Sequence, residues 1–184
     1  MSHKFDPEKA EKLEDESRTE LAPVDRLLEL IEADGDDEVA DIGCGTGFFT
    51  RRVADEVSEV YGIDVERQIL EYYAERGVSE NVSLIESEVG SLALKDGCLD
   101  SAFSITVLHE FYAEEAFEEI ARTLREGGTA VIIDFKKVRE DGGPPYDHRV
   151  SVNEAVEAFE KVGEFEKVES GEMGDRTYYV KATK

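Results

Sequence analysis

The sequence predicts an α/β fold in which a doubly wound, mostly parallel sheet lies between two layers of helices. Two observations carry this prediction. Between residues 38 and 135, short apolar segments alternate with amphipathic segments of helical length, and glycine-containing turns separate them. Near the C-terminus the pattern changes, because two strand-like runs follow one another around a Gly-Asp turn. Since 184 residues are enough to bury a core, we predict one domain over residues 1–184.

Seven strands are expected. Five lie in the alternating region: EVADIG (38–43), EVYGIDV (59–65), NVSLIES (81–87), LDSAFSITVL (99–108) and TAVIIDF (129–135). The fourth is apolar almost throughout, which suits burial on both faces of a parallel sheet. The last two strands lie within residues 165–184 and predict an antiparallel hairpin at one edge of the sheet.

Amphipathic periodicity predicts the helices that connect the strands. They are FFTRRVADEV (48–57), ERQILEYYAERG (66–77) and AEEAFEEIARTLREGG (113–128). The third helix is expected to stop at Gly127 and Gly128, since glycine commonly ends helices. An earlier helix opens at Pro23, and a later one, SVNEAVEAFEKVG (151–163), begins with the capping-box pair Ser151 and Glu154.

Two further segments are less regular. Residues 6–20 are mostly polar and predict a helical arm, in which Phe5, Leu13 and Leu21 are scattered apolar anchors. Residues 136–149, KKVREDGGPPYDHR, contain two glycines and two prolines that break regular structure. This segment follows the C-terminal end of a strand, where open α/β sheets bind ligands, so we expect a functional loop.

Composition excludes several classes of function. The net charge of −24 repels phosphate backbones, so no nucleic-acid partner is expected. The 40% of hydrophobic residues and the periodic segments exclude a disordered chain, and we interpret the acidity as adaptation to high salt (a halophilic protein). No apolar run is long enough to span a membrane, and the N-terminus has no signal-peptide pattern, so we expect a cytoplasmic protein.

Cysteine usage excludes a disulfide framework and a zinc site, because only Cys44 and Cys98 are present, and no metal is expected. Cys44 lies in the glycine-rich turn after the first strand. It is either a functional thiol or a small residue that fits a tight bend, and we favour the second interpretation.

The glycine-rich turn, "VADIGCGTGFF", is typical of a nucleotide-like ligand site, but it fits neither common phosphate motif. The dinucleotide motif G-x-G-x-x-G would place its third glycine, counted from Gly43 and Gly45, where this chain has Phe48. The triphosphate loop fails as well, because no Gly-Lys-Ser/Thr follows. The turn is therefore expected to approach a ligand that lacks a pyrophosphate.

The second feature that points to a nucleoside ligand is an acid at the end of the second strand. Asp64 follows Gly43 by 21 residues, and a carboxylate at this place can accept hydrogen bonds from both hydroxyls of a ribose. The alternative is that Asp64 only starts a turn and caps the helix at Glu66. With the glycine turn beside it, we favour the ribose role, and hence a nucleoside with a small tail.

At this point the chain resembles the class I S-adenosylmethionine-dependent methyltransferases. The resemblance covers about residues 39–135 and lies in "VADIGCGTG", "YGIDVERQIL", "VSLIESEVGSLAL", and "LDSAFSITVLHEF" with "LREGGTAVIIDF". Within this family, the chain is similar to the small-molecule branch that includes ubiquinone and menaquinone biosynthesis methyltransferases. The resemblance implies a Rossmann-like fold, S-adenosylmethionine as cofactor, and methyl transfer by in-line displacement, in which the protein supplies position and electrostatic field.

The resemblance also implies roles for individual residues around the cofactor's methionine end. The backbone of Gly43, Cys44 and Gly45 would approach the methionine moiety. Asp41 would favour its ammonium group, directly or through water. Thr106 would offer a backbone carbonyl nearby, at the end of the fourth strand.

At the adenosine end, the resemblance implies that Asp64 holds the ribose hydroxyls and Val65 packs on the adenine. Glu88 would accept from the adenine amino group, with Val89 beside it. The family usually has Asp within Gly-Asp-Ala at the Glu88 position, whereas this chain reads Ser87-Glu88-Val89. The longer side chain makes this adenine contact the one that departs from the family pattern.

On the acceptor side, His109 is the candidate general base, because it follows the end of the fourth strand. The alternative is a structural histidine that bonds near Glu110. Tyr112 either lines the acceptor pocket or packs in the core. Asp134, at the end of the fifth strand, is either a site residue or a cap.

The loop after the fifth strand carries three more candidates. Asp147, His148 and Arg149 combine an acid, an imidazole and a guanidinium, which suits binding of an anionic acceptor or orientation of a base. His148 is thus the second candidate catalytic residue. The alternative is a polar loop that caps the helix at Ser151.

The function predicted from the sequence is methyl transfer from S-adenosylmethionine to a small-molecule acceptor, by a monomer or a homodimer. Residues 1–20 are expected to form an arm or lid over the cofactor, the alternative being a solvated terminus. Two other functions stay open. One is a non-catalytic protein that binds S-adenosylmethionine as a sensor or partner, and the other, disfavoured by Phe48, is an NAD-dependent oxidoreductase.

Overall fold

The computed structural model of the chain describes residues 7–184 and contains one seven-stranded sheet. Its strands are β1 (Glu38–Ile42), β2 (Glu59–Asp64), β3 (Val82–Glu86), β4 (Leu99–Ile105), β5 (Leu124–Phe135), β6 (Lys167–Glu172) and β7 (Thr177–Thr183). Their order across the sheet is β3-β2-β1-β4-β5-β7-β6. Strands β1–β5 are parallel, whereas β7 runs antiparallel to both β5 and β6. The predicted doubly wound, Rossmann-like α/β sheet with a C-terminal antiparallel hairpin is confirmed.

Eight α-helices connect or flank the strands in the described residues. They are α1 (Pro7–Lys12), α2 (Arg18–Leu21), α3 (Val24–Ile31), α4 (Phe48–Ala54), α5 (Arg67–Glu75), α6 (Leu108–Phe111), α7 (Glu114–Thr123) and α8 (Val152–Val162). Short 3-10 turns cover Val89–Ser91 and Tyr146–His148. Within residues 7–184, every helix is too short or too polar to cross a lipid bilayer.

The sheet separates two hydrophobic cores, as strand alternation requires. In β1, Val39 packs with α3, α4 and α5, whereas Ala40 and Ile42 face the layer of α7 and α8. Strand β5 divides in the same way, with Val131 and Ile133 on the first face. Because all five parallel strands end at one edge, that edge gathers the glycine turn, Asp64 and the residues after β4 and β5.

The predicted end of α7 is wrong. The helix stops at Thr123, and residues 124–128 already belong to β5. Tertiary partners cause this early stop: Lys184 Nζ donates to the carbonyls of Ala121 (2.7 Å) and Leu124 (3.1 Å), which caps the helix from another element. Gly128 serves the strand, since a Cβ there would lie 2.9 Å from a backbone carbonyl oxygen.

The predicted arm is helical only in two short pieces, α1 and α2, with a turn between them. In the turn, the Asp15 carboxylate accepts a hydrogen bond from the Ser17 amide (2.8 Å). Such a local side-chain bond competes with the helical hydrogen bonds, which explains the interruption. Phe5, one of the expected anchors, lies outside the described residues.

The capping box at the start of α8 is present as predicted. The Ser151 hydroxyl accepts from the Glu154 amide (3.3 Å), and the Glu154 carboxylate accepts from the Ser151 amide (2.8 Å). The Ser151 hydroxyl also donates to the Glu154 carboxylate (2.6 Å), and this bond, together with the one from the Ser151 amide, lowers the pKa of Glu154 to about 2. The cap fixes the point at which the loop of residues 136–149 returns to regular structure.

Candidate functional site

The glycine turn lies directly against the end of β2. The amides of Gly43 and Cys44 both donate to the carbonyl of Ile63, at 2.8 and 2.9 Å. Gly43 has φ +78°, and a Cβ there would lie 2.8 Å from a methyl group of Val107. The turn is therefore fixed to β2 on one side and closely approached by the segment after β4 on the other.

A second glycine in the turn is required by packing. Gly47 has φ +82°, and a Cβ at this position would lie 2.1 Å from the ring of Tyr73. Tyr73 is completely buried under the start of α4. Because Gly47 has no Cβ, the ring of Tyr73 on α5 can pack directly against the turn.

Asp64 lies beside the turn, with both carboxylate oxygens held by backbone amides. Oδ2 accepts from the Gly45 amide (3.0 Å), and Oδ1 accepts from the Glu66 amide (2.9 Å). Burial raises the pKa of Asp64, while the two amides oppose that rise. The carboxylate therefore caps the following turn, as the alternative expected, and it also faces the glycine turn. Its remaining acceptor capacity is available to the hydroxyls of a ribose.

The residues expected at the adenine lie next to Asp64. Val65 follows it directly and is 61% exposed, so its apolar side chain is open to a ligand. The Ser87 amide donates to the Asp64 carbonyl (3.1 Å), so the end of β3 meets the end of β2. Glu88 is exposed and Val89 half-buried at the start of the 3-10 turn. The structure thus brings the three predicted adenine contacts to one corner of the sheet.

Asp41 lies beneath the turn. It is 3% exposed, and its carboxylate accepts a hydrogen bond from the Thr50 hydroxyl of α4 (2.6 Å). Burial raises the pKa of Asp41 to about 7, against the hydrogen bond from Thr50 and the charge of Arg18. The involvement of Thr50 and Arg18 was not predicted, because nothing in the local sequence pattern marks either as a partner of Asp41.

Cys44 is buried within the same turn, and burial raises the pKa of its thiol, with Asp41 and Asp64 adding to the effect. A reactive cysteine needs the opposite shift, toward the thiolate. The structure therefore favours the interpretation of Cys44 as a small residue in a tight bend.

Thr106, at the end of β4, has φ +60°, which is rare for a β-branched residue. Two hydrogen bonds hold it there: its amide donates to the Ile133 carbonyl (2.7 Å), and its hydroxyl donates to the Ile105 carbonyl (2.7 Å). Strained backbone of this kind is concentrated at functional sites. It turns the chain from β4 into α6, which carries His109.

The N-terminal segment packs on the glycine turn and α4. Leu13 lies 3.5 Å from the position of a Cβ at Gly45. Glu14 pairs with Arg51 (2.6 Å) and Glu16 with Arg52 (2.7 Å). Arg18 lies over the rings of Phe48 and Phe49. The bulky Phe48, which replaces a glycine of the dinucleotide motif, thus forms part of the surface that receives this segment.

Two of the acceptor-side candidates meet at the ends of α6 and β5. His109 Nδ1 lies 3.5 Å from Asp134 Oδ2, and Asp134 is 2% exposed. The sequence did not indicate this contact, since the two residues are 25 positions apart on different elements. Asp134 thus lies buried beside the imidazole of the candidate base.

A pocket of about 430 Å³ opens beside His109. Tyr112 lies on its edge, with its hydroxyl donating to the Glu154 carbonyl (3.0 Å). Asp147 and His148 lie exposed on the 3-10 turn that forms the other wall. The complete lining comprises His109, Tyr112, Lys137, Asp147, His148, Arg149, Val150 and Glu154. Five of the six predicted acceptor-side residues therefore line the pocket, and the exception is Asp134.

Arg149 has a different environment from the one expected. It is 3% exposed, and its guanidinium binds the loop itself. Its acceptors are the carbonyls of Pro144, Lys136, Val138 and Gly142 and the carboxylate of Glu140, at 2.7–3.2 Å. The donors of the side chain are thus used within the protein, which speaks against the predicted contact with an anionic acceptor. Arg149 instead orders residues 136–149 around the pocket.

The pocket contains an ion pair that sequence reasoning missed. Lys137 Nζ lies 3.2 Å from the Glu154 carboxylate, and both line the pocket. Lys137 stands inside the loop that the sequence marks as functional, so its position was a usable signal, whereas Glu154 was recognised only as a helix cap. Among the described residues, no group of three or more His, Cys, Asp or Glu side chains is placed to hold a metal ion.

Comparison with known proteins gives a consistent result. The family described as "Methyltransferase domain" matches residues 40–132. The malonyl-[acyl-carrier protein] O-methyltransferase of Pectobacterium atrosepticum is 31% identical over 105 residues, which cover 56% of this chain and 41% of that protein. The ubiquinone/menaquinone biosynthesis C-methyltransferase UbiE of Campylobacter jejuni is 31% identical over 114 residues, covering 58% and 47%. The matches thus cover less than half the length of these two relatives.

Solved structures match most of the chain. A SAM dependent methyltransferase from Aquifex aeolicus superposes with a TM-score of 0.86 at 31% identity, covering 98% of this chain and 99% of that one. The putative methyltransferase solved in complex with the Haloferax volcanii Trm112 methyltransferase activator has a TM-score of 0.78 at 18% identity, covering 95% and 93%. The second likeness extends to the fold alone.

Proposed function

The chain belongs to the class I S-adenosylmethionine-dependent methyltransferases, and from this we propose that it methylates a small-molecule acceptor bound in the pocket beside His109. The family establishes an enzyme with S-adenosylmethionine as cofactor. The identity of the acceptor class is the proposal. The observation that carries it is the closeness of the two sites: a Cβ at Gly43 of the glycine turn would lie 2.8 Å from Val107, which stands two residues before His109 of the pocket.

The cofactor site fits the group that the family implies. The glycine turn is held against the end of β2 by the amides of Gly43 and Cys44, and Asp64 beside it presents a carboxylate for ribose hydroxyls. Val65 offers an exposed apolar surface to an adenine ring, with Glu88 and Val89 near it. Asp41, held by Thr50, supplies negative charge beneath the turn for the ammonium group. When bound, the cofactor supplies a methyl group activated on a sulfonium.

The protein contributes position and charge on the acceptor side. The cavity volume of about 430 Å³ falls within the range of small-molecule sites. His109 is our candidate base, and it acts only if the acceptor must lose a proton, in which case a base contributes about 10²–10⁴-fold. His148 on the exposed rim is a second imidazole within the pocket.

Two features support the restriction to small acceptors. The net charge of −24 disfavours nucleic-acid partners. The loop of residues 136–149 is ordered by the buried Arg149, so the pocket has a defined wall. We also propose that residues 1–20 act as a lid, because Leu13, Glu14 and Glu16 already contact the cofactor turn and α4.

A ligand screen followed by a labelling experiment tests the proposal. S-adenosylhomocysteine at a hundredfold excess over its Kd stabilises the fold by about 2.7 kcal/mol, which raises Tm by about 5–10 °C for a chain of this size. NAD is the control and is expected to leave Tm unchanged. The protein is then incubated with methyl-labelled S-adenosylmethionine and an extract of the source organism, which is separated into small molecules, RNA and protein.

Label in the small-molecule fraction is the expected result. Label confined to RNA or protein would contradict the proposed acceptor class. Binding of S-adenosylhomocysteine without any transfer would favour the non-catalytic sensor or partner, and stabilisation by NAD alone would favour the oxidoreductase.

A further inference from the structure

A buried acid at the end of β5 is engaged by one backbone amide and one imidazole. Asp134 Oδ1 accepts from the Phe135 amide (2.7 Å). Its Oδ2 is buried and makes no hydrogen bond of ordinary length, and the same is true of His109 Nδ1, which lies 3.5 Å away. Two buried polar atoms that lack other partners and face each other at this distance make a strong case for a functional pair, because an unpaired buried polar group costs free energy.

We infer that Asp134 is a positioning residue: it accepts the Nδ1 proton of His109 and so leaves the Nε2 lone pair facing the acceptor pocket. This inference rests on the proposed function. Which imidazole nitrogen carries the proton is decided by the hydrogen bond that the other nitrogen makes, and here the buried carboxylate is the acceptor for Nδ1. Hydrogen bonds in a site without its ligands are commonly longer than in the working complex, which accommodates 3.5 Å.

The surroundings agree with this orientation. Nε2 lies on the side of the exposed Glu110, 3.9 Å from its carboxylate, while Nδ1 is the buried nitrogen. Tyr178 pairs with Asp134 across the sheet, but its hydroxyl donates to the Val150 carbonyl (3.0 Å) and not to the acid. The imidazole therefore has one buried and one outward nitrogen, as a base with a fixed tautomer requires.

The pair restricts the class of acceptor to molecules that must lose a proton, such as a hydroxyl or an acidic carbon. In the step, the acceptor's bond to hydrogen breaks and its proton moves to Nε2. The freed electron pair forms the bond to the methyl carbon, and the electrons of the broken carbon–sulfur bond stay on sulfur. Asp134 remains a carboxylate and stabilises the imidazolium. A tertiary amine or a thioether has no such proton, so its methylation would not require a base.

Charges around the imidazole determine how it titrates. The hydrogen bond and charge of Asp134 raise the pKa of His109, with a further rise from Glu110, and burial and the charge of Arg149 oppose it. The remaining titratable or charged groups that line the same pocket are Tyr112, Lys137, Asp147, His148 and Glu154. Asp134 is the largest influence, so its replacement should have the largest effect.

The test is nuclear magnetic resonance of the imidazoles in the intact ¹⁵N-labelled chain. Only three histidines occur, and single His→Gln variants at positions 3 and 148 assign their signals. In the wild-type protein at high pH, His109 is expected to carry its proton on Nδ1. In Asp134→Asn the proton should move to Nε2, and the pKa of His109 should fall, because the largest contribution that raises it is lost. The matched control Glu110→Gln should keep the Nδ1 proton.

The wild-type spectrum alone keeps the inference testable if Asp134→Asn fails to fold. A neutral His109 with its proton on Nε2 would overturn it, and so would an Asp134→Asn protein with an unchanged tautomer and pKa. S-adenosylhomocysteine binding, measured on the same samples, is expected to be equal in wild type and variant. If the wild-type protein did not bind S-adenosylhomocysteine, the proposed function would be overturned. If it bound the ligand but carried the His109 proton on Nε2, only the role of Asp134 would be overturned.

Discussion

Replacement of Gly47 by alanine tests whether the glycine turn is packed as described. Two costs add at this position. Alanine at φ +82° loses about 1–2 kcal/mol in the left-handed region. Its Cβ would lie 2.1 Å from the Tyr73 ring, so the fully buried ring must move, and overpacking of this kind costs about 1–3 kcal/mol. We expect Gly47→Ala to lower the free energy of unfolding by about 2–5 kcal/mol in total.

Two other glycines separate the two costs. Gly77 has φ +95° but open space around it, so Gly77→Ala should lose only the backbone part, about 1–2 kcal/mol. Gly35 has neither the strained φ nor a neighbour within 4 Å, and Gly35→Ala should change stability by less than about 0.5 kcal/mol.

Urea unfolding followed by circular dichroism measures the three variants under one condition, with the m-value as a check that the denatured state is unchanged. The difference between Gly47→Ala and Gly77→Ala isolates the contact with Tyr73. If the two variants lost the same stability, the close approach of α5 to the turn would be refuted. Because Gly47 begins α4, weaker binding of S-adenosylhomocysteine should accompany the loss.

Four further results are expected. Burial raises the pKa of Asp41 from 3.8 to about 7. The stability that protonated Asp41 contributes is therefore complete below about pH 4 and is lost as the pH rises through about 7, with the free energy of unfolding falling by about 1.4 kcal/mol per pH unit. Asp41→Asn should flatten this part of the curve of stability against pH. The ionised form attracts the ligand's ammonium, so affinity for S-adenosylhomocysteine should rise between about pH 6 and pH 8 in the wild type and not in Asp41→Asn. Ser151→Ala should cost about 1 kcal/mol in thermal unfolding, because α8 loses its cap. Finally, the net charge of −24 predicts a Tm that rises with KCl, since about 1 M salt shortens the Debye length to about 3 Å; full stability at low salt would contradict the halophilic interpretation.

The strands and the glycine turn could be predicted from the sequence because their signals are local. Alternating apolar and amphipathic segments mark the parallel strands, and a glycine such as Gly43 marks a turn that only a residue without Cβ can make. The place of Asp64 follows from strand order, since the carboxyl ends of β1 and β2 meet at one edge.

The missing parts depend on contacts between distant residues. The end of α7 is fixed by the side chain of Lys184, which lies 60 residues beyond Leu124 along the chain. The acceptors of Arg149 are spread along the loop that precedes it. The pairing of His109 with Asp134 needs the register of β4 and β5, which no local pattern supplies. Residue types were thus sufficient to select candidates, but only the fold showed which of them lie close together.

The most direct test of the cofactor site is isothermal titration of the wild-type protein and Asp64→Asn with S-adenosylhomocysteine. Charged hydrogen bonds of the kind expected between Asp64 and the ribose contribute about 1.5–3 kcal/mol, so Asp64→Asn should bind roughly 10- to 150-fold more weakly. The control Glu75→Gln, an exposed acid on α5, should bind like the wild type. Saturable one-site binding that is weakened only in Asp64→Asn is the predicted result. No binding to the wild type, or equal binding to Asp64→Asn, would contradict the account.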